Sequence, residues 1–567
     1  MNIDIFDMNE ALVHFNGYAM TRTETVWINR AISSNEWTHA SVKSRFSFGV
    51  PGGCFADSMF DMNNVRCLSA DRYGGPGIGT NGGSGRIGFI DGFQIKGIGR
   101  SPLVGQSKTE WHSYGGQSLI DAMLEAINSL VFGVVLPIGT IQCNAIIYTG
   151  SDTAYMPVGD RESVKGPGAL LVRSSCARPA NFLRAPEFRL RKDALPVVLD
   201  DVARTMRVNQ VLYQKFGSHG EVVKYIGNFL SKCANQFSFS LLFRISHGVL
   251  SPSNTSLDGK WVDLTNVGFV NSGINFLNDD PLVSFFDEIN EIISIVDEFM
   301  YTYGKYNNFD LNIAPLINYY REEVAAYTTY HAPRLFGLEA GVFSRCCSKD
   351  VCDDLMSAVR GLLYERPNKV IASSVNFGDA DPIAIFLASL FGSITNRSSP
   401  VVGYAEPFYR LCLDIFSTSS SGLSFKSFLS RAAISSLKKA YFSSFFMRSR
   451  ILKSLINVVE ICDLSACADY IDSYEDIASW VFQSEAESRA VIFKSGGIEV
   501  AYDAPSSDYL ITVRKKIFRL SCVSDLRARL NATRGSCFVV DGYDFFEAVT
   551  KILDVLESLE GVESNAH

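Results

Sequence analysis

The chain is short of positive charge, of paired cysteines and of long apolar runs, and each shortage excludes something. Its 567 residues carry 52 Lys and Arg against 60 Asp and Glu, a formal net charge of −8. General nucleic-acid binding needs a basic footprint, so no nucleic-acid partner is expected. The longest apolar runs, LVFGVVLPIG (130–139) and IAIFLASLFG (383–392), fall well short of the ~20 residues that cross a bilayer and read as buried core elements. The N-terminal stretch MNIDIFDMNE is acidic where a signal peptide is basic, and no apolar segment follows it. A cytoplasmic protein without a membrane span is the expectation. The thirteen cysteines are scattered with no CxxC pair; Cys346, Cys347 and Cys352 come nearest to a cluster, with no histidine to complete a zinc site.

What is present begins with a glycine-dense run, DRYGGPGIGTNGGSGRIGFIDGFQIKGIGR, from Asp71 to Arg100. Glycines let backbone N–H groups approach phosphate oxygens, because no Cβ intervenes and positive φ is free. They serve tight turns equally well, and no Gly-Lys-Ser/Thr of a Walker loop follows. Within this run Lys96 lies in FQIKG, an apolar strand pattern where an ammonium needs a partner. The next segment, GGQSLIDAMLEAINSLVFG, has Leu119, Met123, Ala126, Ile127 and Leu130 at helical spacing and offers Glu125. A strand lysine held by a helix glutamate is the lysine–glutamate arrangement of protein kinases. The alternative is an exposed lysine and a solvated glutamate.

Further on, SHGVLSPSNTSLDGKWVDLTNVGFV (246–270) places Asn254 and Asp263 in polar segments between apolar stretches read as strands, FSLLF before and VGFV after. In a kinase-like site an asparagine and a following aspartate hold the Mg²⁺ that bridges the phosphates. Elsewhere, SRFSFGV (44–50) reads as a strand, TIQCNAIIYTG and GALLVRSSC as two more, and the chain beyond 195 turns helical. PLVSFFDEINEIISIVDEFMYTYG is amphipathic. A helical stretch at 425–460 is basic and aromatic, and reads either as a docking face for an acidic partner or as a solvated basic face over packed aromatics. AVIFKSGGIEVAYD reads as a hairpin turning at Gly496-Gly497, with YLITVRKKI as a third strand.

These blocks together resemble the selenoprotein O family of kinase-fold protein adenylyltransferases. The resemblance is carried by YGG (73–75), GSGR (83–86), IKGIGRSP (95–102), EAINSL (125–130), LVRSSCARPANFLRAPEF (171–188) and the His247-Gly248-Val249, Asn254, Asp263 and Gly268-Phe269 positions, in the family's order. It implies an α+β, two-lobed protein-kinase-like fold with a small mixed N-lobe (71–195) and a mainly helical C-lobe (196–465); the residues before it read as an N-terminal extension (1–70), and the strand and helix patterns after it as an extra small α+β module (466–567). It also implies ATP and Mg²⁺ as cofactors, with Lys96 and Glu125 as the phosphate lysine and its partner and Asn254 and Asp263 as metal ligands. Nucleotide contacts carried over are Gly74, Gly75, Gly83, Gly85, Arg86, Gly97 and two phosphate arginines, with Arg184 as the second and Arg173 or Arg178 as the first. The implied reaction is AMP transfer to a protein or peptide with release of pyrophosphate.

The pattern departs at one telling place. Where the family carries an acidic general base before the metal asparagine, this chain has Ser253, preceded by Pro252. One reading is a non-catalytic nucleotide-binding scaffold. The other is an acceptor that needs no base: a carboxylate is already ionised at neutral pH and would give an acyl-adenylate. Carboxyl activation suits a subunit of a microcin-type peptide maturation complex, in which the C-terminal module or the basic helix would meet a peptide or a partner enzyme.

Overall fold

The structure is a computed structural model. It describes residues 3–32, 34, 36–106, 113–155, 165–191, 196–270, 287–345, 349–364, 382–394, 402–418, 422–460, 463–483, 488–533 and 536–562. Calls on Cys346, Cys347 and the start of the amphipathic run at 281 lie outside them.

The chain is α+β. Its largest sheet is antiparallel and eight-stranded, built from β1 (Leu12–Met20), β2 (Glu24–Ile28), β3 (Phe48–Gly49), β4 (Phe60–Asp71), β5 (Ile87–Ile90), β6 (Phe93–Lys96), β7 (Cys143–Tyr148) and, after a small hairpin of β8 (Ala154–Tyr155) with β9 (Lys165–Gly166), β10 (Ala169–Ser174). Their spatial order is β2-β7-β10-β6-β5-β4-β1-β3. The boundary expected at residue 70 therefore runs through one sheet, since strands from both sides of it pair. Where SRFSFGV reads as a strand, the chain instead forms helix α1 (His39–Phe46) and only the two-residue β3. The cause is local: Thr38 accepts from Ser41 N while Ser41 Oγ accepts from Thr38 N, a reciprocal cap that starts a helix.

Alternation along the strands separates two cores. Ile95, Leu170, Val172 and Ala145 face a cluster under α1, while Leu171, Ile146 and Phe89 face helix α2 (Leu119–Val135). Ser118 caps α2 by accepting from Asp121 N at 3.0 Å, and the helix ends before Leu136-Pro137, where the proline forces extended backbone.

Beyond the sheet come α3 (Asp201–Phe216), α4 (His219–Leu242), α5 (Glu288–Asn307), α6 (Ala314–His331), α7 (Lys349–Tyr364), α8 (Pro382–Gly392) and α9 (Val402–Thr418). They are followed by α10 (Phe425–Phe442), α11 (Arg448–Glu460) and α12 (Leu464–Phe482). The FSLLF segment read as a strand is the last turn of α4; the strand is the shorter β11 (Ile245–Ser246), paired with β12 (Gly268–Phe269). A short apolar run satisfies both periods, and here the amphipathic helix before it continues through. No described helix is long and apolar enough to cross a membrane.

A second antiparallel sheet holds β13 (Arg489–Ser495), β14 (Ile498–Asp503), β15 (Asp508–Val513) and β16 (Lys516–Leu520), backed by α13 (Val523–Thr533) and α14 (Phe546–Leu559). The hairpin at Gly496-Gly497 is as expected. YLITVRKKI, read as one strand, is two strands joined at Arg514 and Lys515, both at positive φ. In the 425–460 stretch Phe442, Phe445 and Phe446 are buried in the core, and Lys438 is buried with its ammonium donating to the Trp480 and Val491 carbonyls. Helix α12 packs on α2 and on β2, where Asp472 accepts from the Trp27 indole at 2.7 Å and from Arg30 at 2.7 Å.

Candidate active site

Strand β6 carries Gln94 and Lys96 on one face, the face toward α2. Lys96 is almost fully buried and meets two carboxylates, Glu125 Oε2 at 2.7 Å and Asp263 Oδ1 at 2.6 Å. Glu125, buried in the middle of α2, also accepts from Arg173 on β10. Arg173 lies opposite Gln94 in the strand register and donates from Nε to Gln94 Oε1 at 2.5 Å. Arg178, just beyond β10, donates to the same oxygen at 3.3 Å and to the Ser253 carbonyl at 3.0 Å, with its guanidinium over the Tyr73 ring. Two cations thus share one neutral amide oxygen. That holds them close, and Arg173 is in addition paired with Glu125.

Lys96, Arg173, Arg178 and Asp263 line a cavity of about 540 Å³, within the range of small-molecule and cofactor sites. Its lining includes Arg86, Lys96, Arg173 and Arg178, with Asp263 as the carboxylate among the described lining residues. Gly77, Gly79, Gly83 and Gly85 border it, and Ile78, Ile87, Val104 and Tyr114 give it apolar wall. Burial alone would raise the Asp263 carboxyl, but Lys96, Arg173 and Arg86 hold it well below the usual carboxylate range. Burial likewise works against the Arg86 charge, which Tyr114 and Asp263 more than restore.

Asn254 and Asp263 both border the cavity. The hairpin between them is pinned at its neck: Val262 N donates to the Asn254 carbonyl at 2.9 Å. His247 Nε2 lies 3.2 Å from both the Asn254 and Val262 carbonyls, so that nitrogen carries the proton. Burial pushes this imidazole down to about 4, leaving it neutral. The Asn254 side-chain nitrogen donates to the Val249 carbonyl at 2.7 Å, which fixes the amide orientation; its oxygen accepts from Ser253 Oγ at 3.3 Å. One carboxylate and one amide oxygen fit Mg²⁺, which usually takes one or two protein carboxylates and completes its shell with water and phosphate oxygens. Among the described residues no group of three His, Cys, Asp or Glu gathers for a metal held by protein alone.

Of the residues singled out in the sequence, Lys96, Glu125, Asn254, Asp263, Arg86, Arg173, Arg178, Gly83 and Gly85 come together here; Glu125 stands just behind the lining. Arg184 does not. It is exposed, with its guanidinium 3.6 Å from Asp201, so the two arginines of that segment that reach the cavity are Arg173 and Arg178. Gly74, Gly75 and Gly97 also lie outside the lining. A Cβ on Gly74 would sit 1.9 Å from the Arg184 carbonyl, and one on Gly97 would sit 2.4 Å from the Ala169 carbonyl. Those two glycines allow backbones to touch.

Three contributors were not singled out in the sequence. Gln94 was findable, two residues before Lys96 on the same strand face. Glu288, at the start of α5, is buried and accepts from Ser246 Oγ at 2.7 Å, His247 N at 3.0 Å and Gly248 N at 2.8 Å, anchoring the hairpin's first strand. Burial raises its carboxyl, and these donors oppose that. Asn128, one turn after Glu125, binds the turn after Asp263. Nothing local in the sequence marks either. Comparison with known protein families and with curated proteins finds no match to this chain in either set.

Proposed function

We propose that the protein is a Mg-ATP-dependent nucleotidyltransferase of kinase-like, two-lobed architecture that transfers AMP to a protein or peptide, related to the selenoprotein O family it resembles. The observation that carries this reading is Lys96 bonded at once to Glu125 and Asp263 at a cavity lined by three further cations. A triphosphate supplies the missing negative charge. Lys96, Arg173 and Arg178 would bind its oxygens, charge-assisted contacts that strengthen as charge shifts onto the leaving group. Asn254 and Asp263 would hold Mg²⁺, which when bound neutralises phosphate charge.

In the reaction an acceptor oxygen bonds to the α-phosphorus, the bond to the α–β bridging oxygen breaks, and pyrophosphate leaves with that electron pair. Asp263, held ionised by its cations, is a poor proton acceptor, and Ser253 offers only a hydroxyl bonded to Ser251 and Asn254. A carboxylate acceptor loses no proton on attack, so these neighbours favour acyl-adenylate formation, as a peptide-maturation subunit would require. The same serine supports a second reading, a nucleotide-binding scaffold without turnover.

ATP labelled at the α- or the γ-phosphate, incubated with Mg²⁺ and lysate proteins and peptides, separates these. AMP transfer leaves α-label on the acceptor and an adenylyl mass increment; γ-label on the acceptor means phosphotransfer. ATP binding without transfer of either label supports the scaffold.

A further inference from the structure

Asp263 has φ +59°, a left-handed conformation that a side-chain-bearing residue adopts at a cost. What holds it there is visible in the next four residues. Asn128 is fully buried, and its side-chain nitrogen donates to the Leu264 carbonyl at 2.7 Å and the Val267 carbonyl at 3.1 Å. Between those two, the Thr265 carbonyl accepts from Arg448 Nε at 2.7 Å. Arg448 opens α11, far along the chain, and its backbone lies against Gly268, where an added Cβ would come 3.1 Å from Arg448 Cβ. Three carbonyls of one short turn are thus gripped by two side chains from two different helices.

We propose that Asn128 and Arg448 are positioning residues that clamp the Leu264–Val267 turn and so hold the Asp263 carboxylate against Lys96, ready for the cation–phosphate pair. This deepens the nucleotide reading above and rests on it. Asn128 and Glu125 sit three residues apart on α2, on neighbouring parts of its surface. One rigid helix therefore sets the lysine through Glu125 and the aspartate through Asn128. Arg448 closes the turn from α11, which packs on the same helix. Releasing either grip lets Asp263 relax from positive φ, which moves its carboxylate off Lys96 while Glu125 still holds the lysine and Arg173. The expected defect is in the response to metal, with nucleotide binding in the absence of metal preserved.

The test uses the full chain. Thermal unfolding is followed at fixed ATP while Mg²⁺ is titrated, and again with ATP in chelator. In Asn128→Leu and Arg448→Met the Mg²⁺ needed for half-maximal stabilisation rises about tenfold, the scale of one lost buried hydrogen bond. The metal-free ATP response changes by less than about twofold, and Arg448→Lys, which keeps a donor, recovers to within about threefold of wild type. A lower melting temperature with unchanged Mg²⁺ dependence means a merely structural role and overturns the proposal. Should Asn128→Leu not fold, Arg448, which is partly buried at the start of α11, decides alone. If wild type shows no Mg-ATP response, the nucleotide reading falls first. Amide exchange without ligand then judges the clamp: faster exchange over 264–268 in Arg448→Met upholds it, and equal protection overturns it.

Discussion

In the eight-stranded sheet the charged strand residues beside α2 point inward; in the four-stranded sheet they point out. Lys96 and Arg173 are each about 2 % exposed and share Glu125, at 1 %. On the second sheet Arg489 pairs with Glu499, and Arg519 lies 3.3 Å from Asp508, with both arginines substantially exposed. Both sheets are antiparallel, with tight hairpins and an apolar face on a helix. The difference lies in what charge costs. An exposed pair gives up little hydration and gains little, whereas a buried one pays heavily for desolvation and is kept only by dense partnering. Charge at a sheet's dry face marks the region where chemistry is to be sought; charge at its wet face maintains solubility.

The sharpest break of this comparison is Glu125→Ala. It leaves Lys96 and Arg173 buried with their shared anion gone, and chemical denaturation should register a loss of about 3–5 kcal/mol. Acid comes next. His247 and His331 are held neutral by burial, at about 4 and about 3, against an ordinary value near 6.5. The unfolded chain therefore binds more protons below about pH 6.5, so stability present above that pH is lost as pH falls. His247 alone accounts for about 3 kcal/mol by pH 4, and His247→Gln should flatten the denaturation midpoint measured across that window. Third, Mg-ATP at a hundredfold excess over Kd should stabilise wild type by about 2.7 kcal/mol, and Asp263→Asn should abolish the metal-dependent part in a thermal-shift assay. Smallest is the outward pair: a double-mutant cycle on Arg489 and Glu499 should give less than about 1 kcal/mol of coupling. A coupling as large as the Glu125 loss would erase the contrast between the sheets.

Much of the site was legible because its parts are local. FQIKG is a strand with a buried lysine, EAINSL a helix with a buried glutamate, and the segment from His247 to Phe269 a hairpin bearing Asn254 and Asp263. The meeting of Lys96 with Asp263 bridges 167 positions, and only the resemblance pointed to it. What the sequence concealed depended on context. FSLLF fits a strand or a helix end equally, and the helix won by continuing from α4. Arg514 and Lys515 turn a hairpin at positive φ without the glycine or asparagine that normally announces one. Arg184 and Arg178 look equivalent in LVRSSCARPANFLRAPEF, and only the 3-10 turn of Pro179–Phe182 sends one to the cavity and the other to Asp201. Glu288 and Asn128 act on carbonyls and amides, which leave no pattern in side-chain spacing.

The bond from Trp27 to Asp472 has a bearing on how the protein is made. Strand β2 emerges early in synthesis, yet the carboxylate that receives its indole hydrogen arrives some 445 residues later. Until then the edge of the large sheet and the outer side of α2 stand bare on the ribosome. Such long-range closure is slow and leaves sticky surface exposed meanwhile. Translation halted before α12 should yield chains that chaperones retain, with release timed to the arrival of that helix.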